Sequence, residues 1–370
     1  MDYMEQALSL AKLALGQASP NPAVGAVVVK NDVVVGQGYT QPPGSWHAEI
    51  VALKQAGEEA KGATLYVILE PCCHYGRTPP CTKAVIDAGI EEVHFAMIDP
   101  NPIVLGKGKD ELEKAGIKVW VGEHEAEANQ INEAYIKYIT TAVPFITAKF
   151  AVSLDGKIAT KHGDSKWITG EQARKYVHGL RYISDAIMVG VNTVLADNPQ
   201  LTTRFGGVGG TARKQPLRVI VDSKGRTPLT AKVFDEPGKT LLALGKQAVQ
   251  EKKAAFTRLG AELLELPSTE GLVDLEKLLK ALGERGITSI LVEGGEALLG
   301  SLFDHGLVDK IIAFISPIII GGKGAKTPVG GKGVDRVIDS LRLERVNIER
   351  LGDEVMVSGY VAAKREGAKV

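Results

Sequence analysis

Short apolar runs of strand length alternate with stretches of helical period along this chain, and that alternation limits the folds open to it. Leu65 to Leu69 is an uninterrupted apolar run, and Val93 to Ile98 and Val119 to Val121 read as further strands. Residues 3–15 place Met4, Leu8, Leu10, Leu13 and Leu15 near one helical face. A second helix opens near His47 and carries Ile50, Val51, Leu53 and Ala56 inward, and 82–88 and 109–115 also look helical. Val24 to Val29 and Val33 to Gly36, around Asn31-Asp32, read as a hairpin. Such alternation predicts a mainly parallel sheet with helices on both faces.

Residues 123–142 have the pattern of one polar helix, which Pro144 should stop. The pattern then restarts, with strands near 145–152, 186–189, 217–221, 240–244, 261–266 and 287–292. Leu275, Leu278, Leu279 and Leu282 repeat at helical spacing before Gly286, and Gly206 to Gln215 reads as a polar surface loop. At 370 residues the chain exceeds one ordinary domain, and two α/β units meeting near 143–145 are expected.

Lys plus Arg total 44 and Asp plus Glu total 44, so no net field steers the chain toward nucleic acid or an anionic membrane. Ile311 to Ile320 is the most apolar stretch late in the chain, far too short for a membrane span. Asp2 and the helical period behind it do not read as a signal peptide. Three cysteines between Cys72 and Cys81 make no disulfide framework in a chain this long. A cytoplasmic enzyme is expected.

The densest chemistry is His47-Ala48-Glu49, followed by Pro71-Cys72 and then Cys81. One imidazole and two thiolates suit a zinc ion and leave its last tetrahedral position for water, whose pKa the metal lowers from about 16 toward 7. Glu49, two residues beyond His47, can shuttle a proton without ligating the metal. A His-x-Glu alone carries almost no information; its order with Pro-Cys and a strand-then-helix context does. Cys73 and His74 compete as ligands on distance grounds, and a fourth protein ligand would make the zinc structural. The bland reading of Cys73 is an inert neighbour pointing away, and His94 and His124 read as structural or surface.

Pro71-Cys72-Cys73-His74-Tyr75-Gly76-Arg77-Thr78-Pro79-Pro80-Cys81 resembles the long zinc insert of riboflavin-biosynthesis deaminases, as does Asn21-Pro22-x-Val24-Gly25. The resemblance runs on through Lys149-x-Ala151-x-Ser153-Leu154-Asp155-Gly156-Lys157, Asp164-Ser165-x-Trp167-Ile168-Thr169, Asp197-Asn198-Pro199-x-Leu201-Thr202-x-Arg204 and Val292-Glu293-Gly294-Gly295. The chain is similar over essentially its whole length to the bifunctional deaminase–reductases of that family, departing at Cys73, where Ser is usual. The resemblance implies a cytidine-deaminase-like three-layer αβα domain over 1–143. It implies a dihydrofolate-reductase-like α/β domain over 144–370.

It further implies one zinc per chain, NADPH, and a small phosphorylated pyrimidine as substrate, in a homo-oligomer that binds neither nucleic acid nor membrane. Asn21, His74, Arg77 and Asn101 are the expected deaminase substrate contacts: amides for the pyrimidine edge, cationic donors for the phosphate. Asn-Pro is also ordinary turn chemistry, and Arg77 can be a solvated loop charge. Ala151, Trp167, Thr193 and Asp197 are expected cofactor contacts, with Gly295, Glu296, Ala297, Leu298, Leu299, Gly300 and Ser301. Lys149, Ser165, Arg181, Leu201, Arg204 and Glu293 are expected around the reductase substrate, with Arg181 and Arg204 as bidentate partners of its phosphate. Glu293 closes an apolar strand, where an unpaired carboxylate is costly and wants a partner. A rival reading keeps the zinc chemistry for another nucleobase substrate beside a non-catalytic second half, which leaves the Ser165 and Asp197 motifs unexplained.

Overall fold

The computed structural model describes residues 2–76, 79–204, 214–269 and 271–362. Arg77 lies outside them, as does most of the Gly206 to Gln215 segment. The chain divides into two compact units between Val143 and Pro144.

In the first unit, α1 (Tyr3–Ala14) is followed by β1 (Gly25–Lys30), β2 (Val33–Tyr39), α2 (Ala48–Ala56), β3 (Thr64–Leu69) and α3 (Cys81–Asp87). Then come β4 (Glu92–Met97), α4 (Lys107–Lys114), β5 (Lys118–Val121), α5 (Glu125–Ile131) and α6 (Glu133–Thr141). The sheet order is β2-β1-β3-β4-β5. The hairpin read from the valine runs is β1–β2, and β1 also pairs antiparallel with β3. Only β3, β4 and β5 run parallel, so this sheet is mixed where a mainly parallel one was expected. Helices α1 and α5 cover one face while α2 packs on β1 and β2, giving three layers.

Glycines set how closely those helices lie. A Cβ on Gly38 of β2 would stand 2.7 Å from the Ala48 carbonyl oxygen and 2.6 Å from the Val51 Cβ of α2. Ala48, Ala52 and Ala56 offer the matching small surface on the helix. This close approach seats the first turn of α2 firmly on the sheet, next to His47.

The single polar helix expected over 123–142 is two helices that meet at Asn132, whose backbone (φ −101°, ψ 16°) leaves the helical path. The sequence pattern carried no breaker there, neither Gly nor Pro. The break is tertiary in origin: the buried Asn132 side chain hydrogen-bonds the backbone of Ala23.

The second unit opens with β6 (Phe145–Ser153), α7 (Glu171–Ile183), β7 (Ala186–Gly190), α8 (Val191–Asp197), β8 (Leu217–Val221), β9 (Thr240–Gly245), α9 (Gln250–Arg258) and β10 (Glu262–Leu266). Two short strands, β11 (Ser268–Thr269) and β12 (Leu272–Val273), precede α10 (Leu275–Gly283), β13 (Ser289–Val292) and α11 (Glu296–Asp304). The unit ends with β14 (Lys310–Ser316), β15 (Leu343–Leu351) and β16 (Glu354–Val361). Its sheet runs β10-β9-β8-β7-β13-β6-β14-β16-β15. The strands from β10 to β14 are parallel and the last two antiparallel. Because β13 lies between β7 and β6 and runs parallel to both, the C-terminal ends of all three strands lie along one edge of the sheet, the edge at which open α/β sheets bind ligands. No helix among the described residues is long and apolar enough to cross a membrane.

Candidate metal centre and reductase site

His47 is the residue just before α2, in extended conformation (φ −73°, ψ 162°), and its ring meets the side chains of Cys72 and Cys81. Cys72 lies beyond the end of β3, and Cys81 is the first residue of α3. The Nδ1 of His47 stands 3.7 Å from Cys72 Sγ and 3.3 Å from Cys81 Sγ, and the three donor atoms lie within 4.8 Å of one another. Ordinary Zn–N and Zn–S bonds at tetrahedral angles require an N···S edge of about 3.6 Å, so the observed separations fit that ion. Among the described residues this is the group that could hold a metal, and Cys73 and His74 are not part of it. Three protein donors leave a tetrahedral site one ligand short, the arrangement of catalytic rather than structural zinc.

The three donors act strongly on one another's protonation. The Cys72 thiol is pulled down to about 4 by hydrogen bonds from the Cys81 thiol, from His47 and from the Cys81 N–H at 3.4 Å. The second thiol, Cys81, is pushed up by its bond to Cys72, by burial and by Glu49 nearby. His47 is lifted to about 9, chiefly by its bond to Cys72. A divalent ion held by these residues would take both sulfurs as thiolates and the imidazole in its neutral form.

Glu49 lies on the first turn of α2, only 4% exposed. Burial pushes its carboxyl up, opposed by the His47 charge. His74 is half-buried, and its Nδ1 is a buried ring nitrogen with no hydrogen-bond partner among the described residues. Such an orphan wants a ligand. Asn21 and Asn101 are both half-buried, on loops before β1 and after β4.

In the second unit, Glu293 follows β13 directly and closes on Arg181 near the end of α7. Arg181 Nε donates to Oε1 at 2.5 Å and Nη2 to Oε2 at 2.9 Å, while Nη1 donates to the Thr202 carbonyl at 3.0 Å. The bidentate edge expected to clasp a phosphate is therefore spent on Glu293, the partner that carboxylate required. Lys149, on β6, faces the same pair: burial lowers its ammonium, and Glu293 opposes that shift. Arg204 is exposed; its side chain donates to Gln200, and its backbone N–H donates to His178 Nδ1 at 3.3 Å. Leu201 is buried with φ 52°, a left-handed conformation uncommon for leucine, which turns the chain toward Thr202.

The Ser165 hydroxyl donates to Asp197 at 3.0 Å, joining two of the sequence motifs. Trp167 is 73% exposed, with the Arg174 guanidinium 5.0 Å from its ring. Gly294 (φ 116°) and Gly295 (φ 98°) open α11, and no side chain caps that helix. Its first backbone N–H groups suit an anionic group, although Glu296 adds a negative charge to the same turn. A Cβ on Gly295 would stand 3.2 Å from Thr193 Oγ1, so glycine keeps that approach clear. Ala151 is half-buried on β6 beside β14, and Leu298, Leu299 and Gly300 are buried on α11, with Ala297 and Ser301 on the same helix.

A His-Cys-Cys donor set with a buried carboxyl beside it, in a three-layer αβα unit, defines a zinc-dependent deaminase, followed here by a separate α/β unit. Residues 1–97 match the cytidine and deoxycytidylate deaminase zinc-binding region, and residues 144–357 match the RibD C-terminal domain. The riboflavin biosynthesis protein RibD of Aquifex aeolicus is 46% identical over 96% of this chain and 97% of its own. That of Actinobacillus pleuropneumoniae is 43% identical over 98% and 95%. Acinetobacter baumannii RibD superposes with a TM-score of 0.87 at 38% identity, covering 98% of both chains. A Thermotoga maritima structure described as a diaminohydroxyphosphoribosylaminopyrimidine deaminase and phosphoribosylaminouracil reductase superposes with a TM-score of 0.84 at 36% identity, covering 97% of this chain and 98% of that one. The chain belongs to the RibD family: it is a bifunctional enzyme of riboflavin biosynthesis, a zinc-dependent deaminase joined to a reductase.

Proposed function

We propose that residues 1–143 deaminate a diaminopyrimidinone carrying a ribosylamino 5′-phosphate, and that residues 144–370 reduce the ribosyl group of the product to a ribityl chain with NADPH. The observation that carries the first half is the His47, Cys72 and Cys81 donor set with Glu49 buried beside it. The zinc, when bound there, supplies an electrophile and activates water at neutral pH. Glu49 takes the proton from the attacking water and delivers it to the departing amine, a relay for which its buried carboxyl is suited. His74, through a ring nitrogen without a partner among the described residues, and Arg77 orient the phosphorylated arm. Asn21 and Asn101 address the pyrimidine edge, each amide offering donor and acceptor.

In the second half, NADPH supplies the hydride. Gly295 to Ser301 hold its pyrophosphate at the head of α11, with Ala151, Trp167, Thr193 and Asp197 lining the rest of its path. Lys149 and Glu293 stand at the sugar, and Arg181 holds the Glu293 carboxylate in place. Ser165, Leu201 and Arg204 complete the pocket, with Arg204 as the cation for the phosphate. The protein is expected to work in the cytoplasm as a homo-oligomer, which is supported by exposed Val346 and Ile348 on edge strand β15 and tested by light scattering. Ammonia release and then NADPH oxidation by one purified zinc-loaded chain tests the whole reading. NADPH inertness toward the deaminated product would reduce it to a deaminase with a silent partner.

A further inference from the structure

Asn132 and Tyr135 are three residues apart at the junction of α5 and α6, and each reaches a loop that bears one of the candidate amides. Asn132 is 2% exposed, and its Oδ1 accepts the Ala23 N–H at 2.9 Å while its Nδ2 donates to the Ala23 carbonyl at 3.1 Å. One side chain thus satisfies both backbone groups of Ala23, two residues beyond Asn21, as a neighbouring strand would. Tyr135, also buried, donates its hydroxyl to the Asp99 carboxylate, 3.0 Å from Oδ1 and 3.3 Å from Oδ2. Asp99 Oδ1 accepts the Asn101 N–H at 2.9 Å, and Asn101 Oδ1 accepts the Ile103 N–H at 3.1 Å.

The far side of that second loop is fixed independently. The buried Glu70 carboxylate accepts the N–H groups of Asp99 at 3.1 Å, Gly106 at 3.0 Å and Lys109 at 3.0 Å. Glu70 directly precedes Pro71-Cys72, so the loop is bound to the strand exit that carries a metal ligand. Apolar side chains of like volume would leave the backbone groups of Ala23 and the N–H groups around Glu70 without these partners. Directed hydrogen bonds add what packing does not, a fixed orientation for each loop.

We propose that Asn132 and Tyr135 are positioning residues of the deaminase. From one turn of chain they hold the Asn21 and Asn101 loops so that two side-chain amides meet the edge of a planar heterocycle together. This rests on the reading of Asn21 and Asn101 as substrate contacts. The helix break at Asn132 then has a purpose, because a continuous helix would not bring that side chain to Ala23.

The test uses the zinc-loaded full chain with the diaminopyrimidinone phosphate. Tyr135→Phe keeps the ring and removes one hydroxyl; it should raise the deaminase KM about tenfold with a smaller change in kcat. Asn132→Asp, which loses the donor to Ala23, should act in the same direction. Bound zinc and NADPH oxidation on the deaminated product should stay at wild-type levels, showing that the variants are folded. In an Asn101→Ala background Tyr135→Phe should cost nothing more, and in an Asn21→Ala background it should cost its full factor. Wild-type KM in both brace variants, zinc loss in step with activity, or full additivity with Asn101→Ala would overturn the brace alone. Wild-type KM in Asn21→Ala and Asn101→Ala themselves would overturn the underlying reading and the brace with it.

Discussion

Glu49 and Glu293 are both buried carboxyls at the ends of apolar elements, yet their surroundings give them opposite tasks. Burial raises the Glu49 carboxyl against the lowering effect of the neighbouring imidazole, which favours its proton-bearing form. Glu49→Gln should therefore lower deamination by at least about a hundredfold, the usual share of a positioned acid–base group. Zinc content and NADPH oxidation should be unchanged, with ammonia release as the readout. Glu293 is instead held charged against its burial by the Arg181 fork, the two side chains 6% and 15% exposed. Glu293→Ala leaves that guanidinium buried without its partner, which should cost the second unit roughly 3 kcal/mol. Urea unfolding followed in that unit measures the loss, and Arg181→Met added to it should recover much of the stability. The sequence made plain that Glu293 needed a partner, because a carboxylate ending an apolar strand cannot stand alone. It could not say which partner, since Arg181 is 112 residues away and is brought there by the insertion of β13 between β7 and β6.

Elements were legible where a period was unbroken and obscure where tertiary contacts decided. The helices α1, α2 and α10 and the strands β3, β7 and β8 stand within a residue or two of their apolar patterns. Strand β15 was invisible because all but its end residues are exposed, so no alternation marks it. The β2 glycines could be read only as strand residues; their closeness to α2 appears only with the helix in place. Gly38→Ala should push the first turn of α2 off the sheet at about 1–3 kcal/mol and loosen His47, so zinc affinity should fall together with thermal stability. A pH effect belongs to the turn after β6. Asp155 accepts the Ser153 hydroxyl at 2.6 Å and the N–H groups of Ile320 at 3.0 Å and Gly321 at 2.8 Å, which draw its carboxyl down to about 2. A depressed carboxyl stabilises the fold at every pH above its unfolded value near 4, and that contribution is lost as pH falls from about 4 to about 2. The unfolding midpoint of the second unit should drop over that window, and Asp155→Asn should flatten the drop.

At the scale of the whole chain, each unit carries its own apolar core. One core runs from Met4 to Tyr135; others, between Ala173 and Met356, serve the second unit. The His47, Cys72 and Cys81 donors all come from the first unit, and the buried Arg181–Glu293 pair lies wholly in the second. Removing the metal should therefore divide the activities cleanly. The donors would have to be deprotonated to hold the ion, so its retention depends on pH as well as on chelator. Dialysis against a strong chelator at neutral pH should abolish ammonia release, with NADPH oxidation on the deaminated product intact. Added zinc should restore the first activity in proportion to metal bound, to one ion per chain. Parallel loss of both activities on chelation would mean that the metal holds the chain together as a whole. A stoichiometry above one would mean that ligands beyond His47, Cys72 and Cys81 had been overlooked.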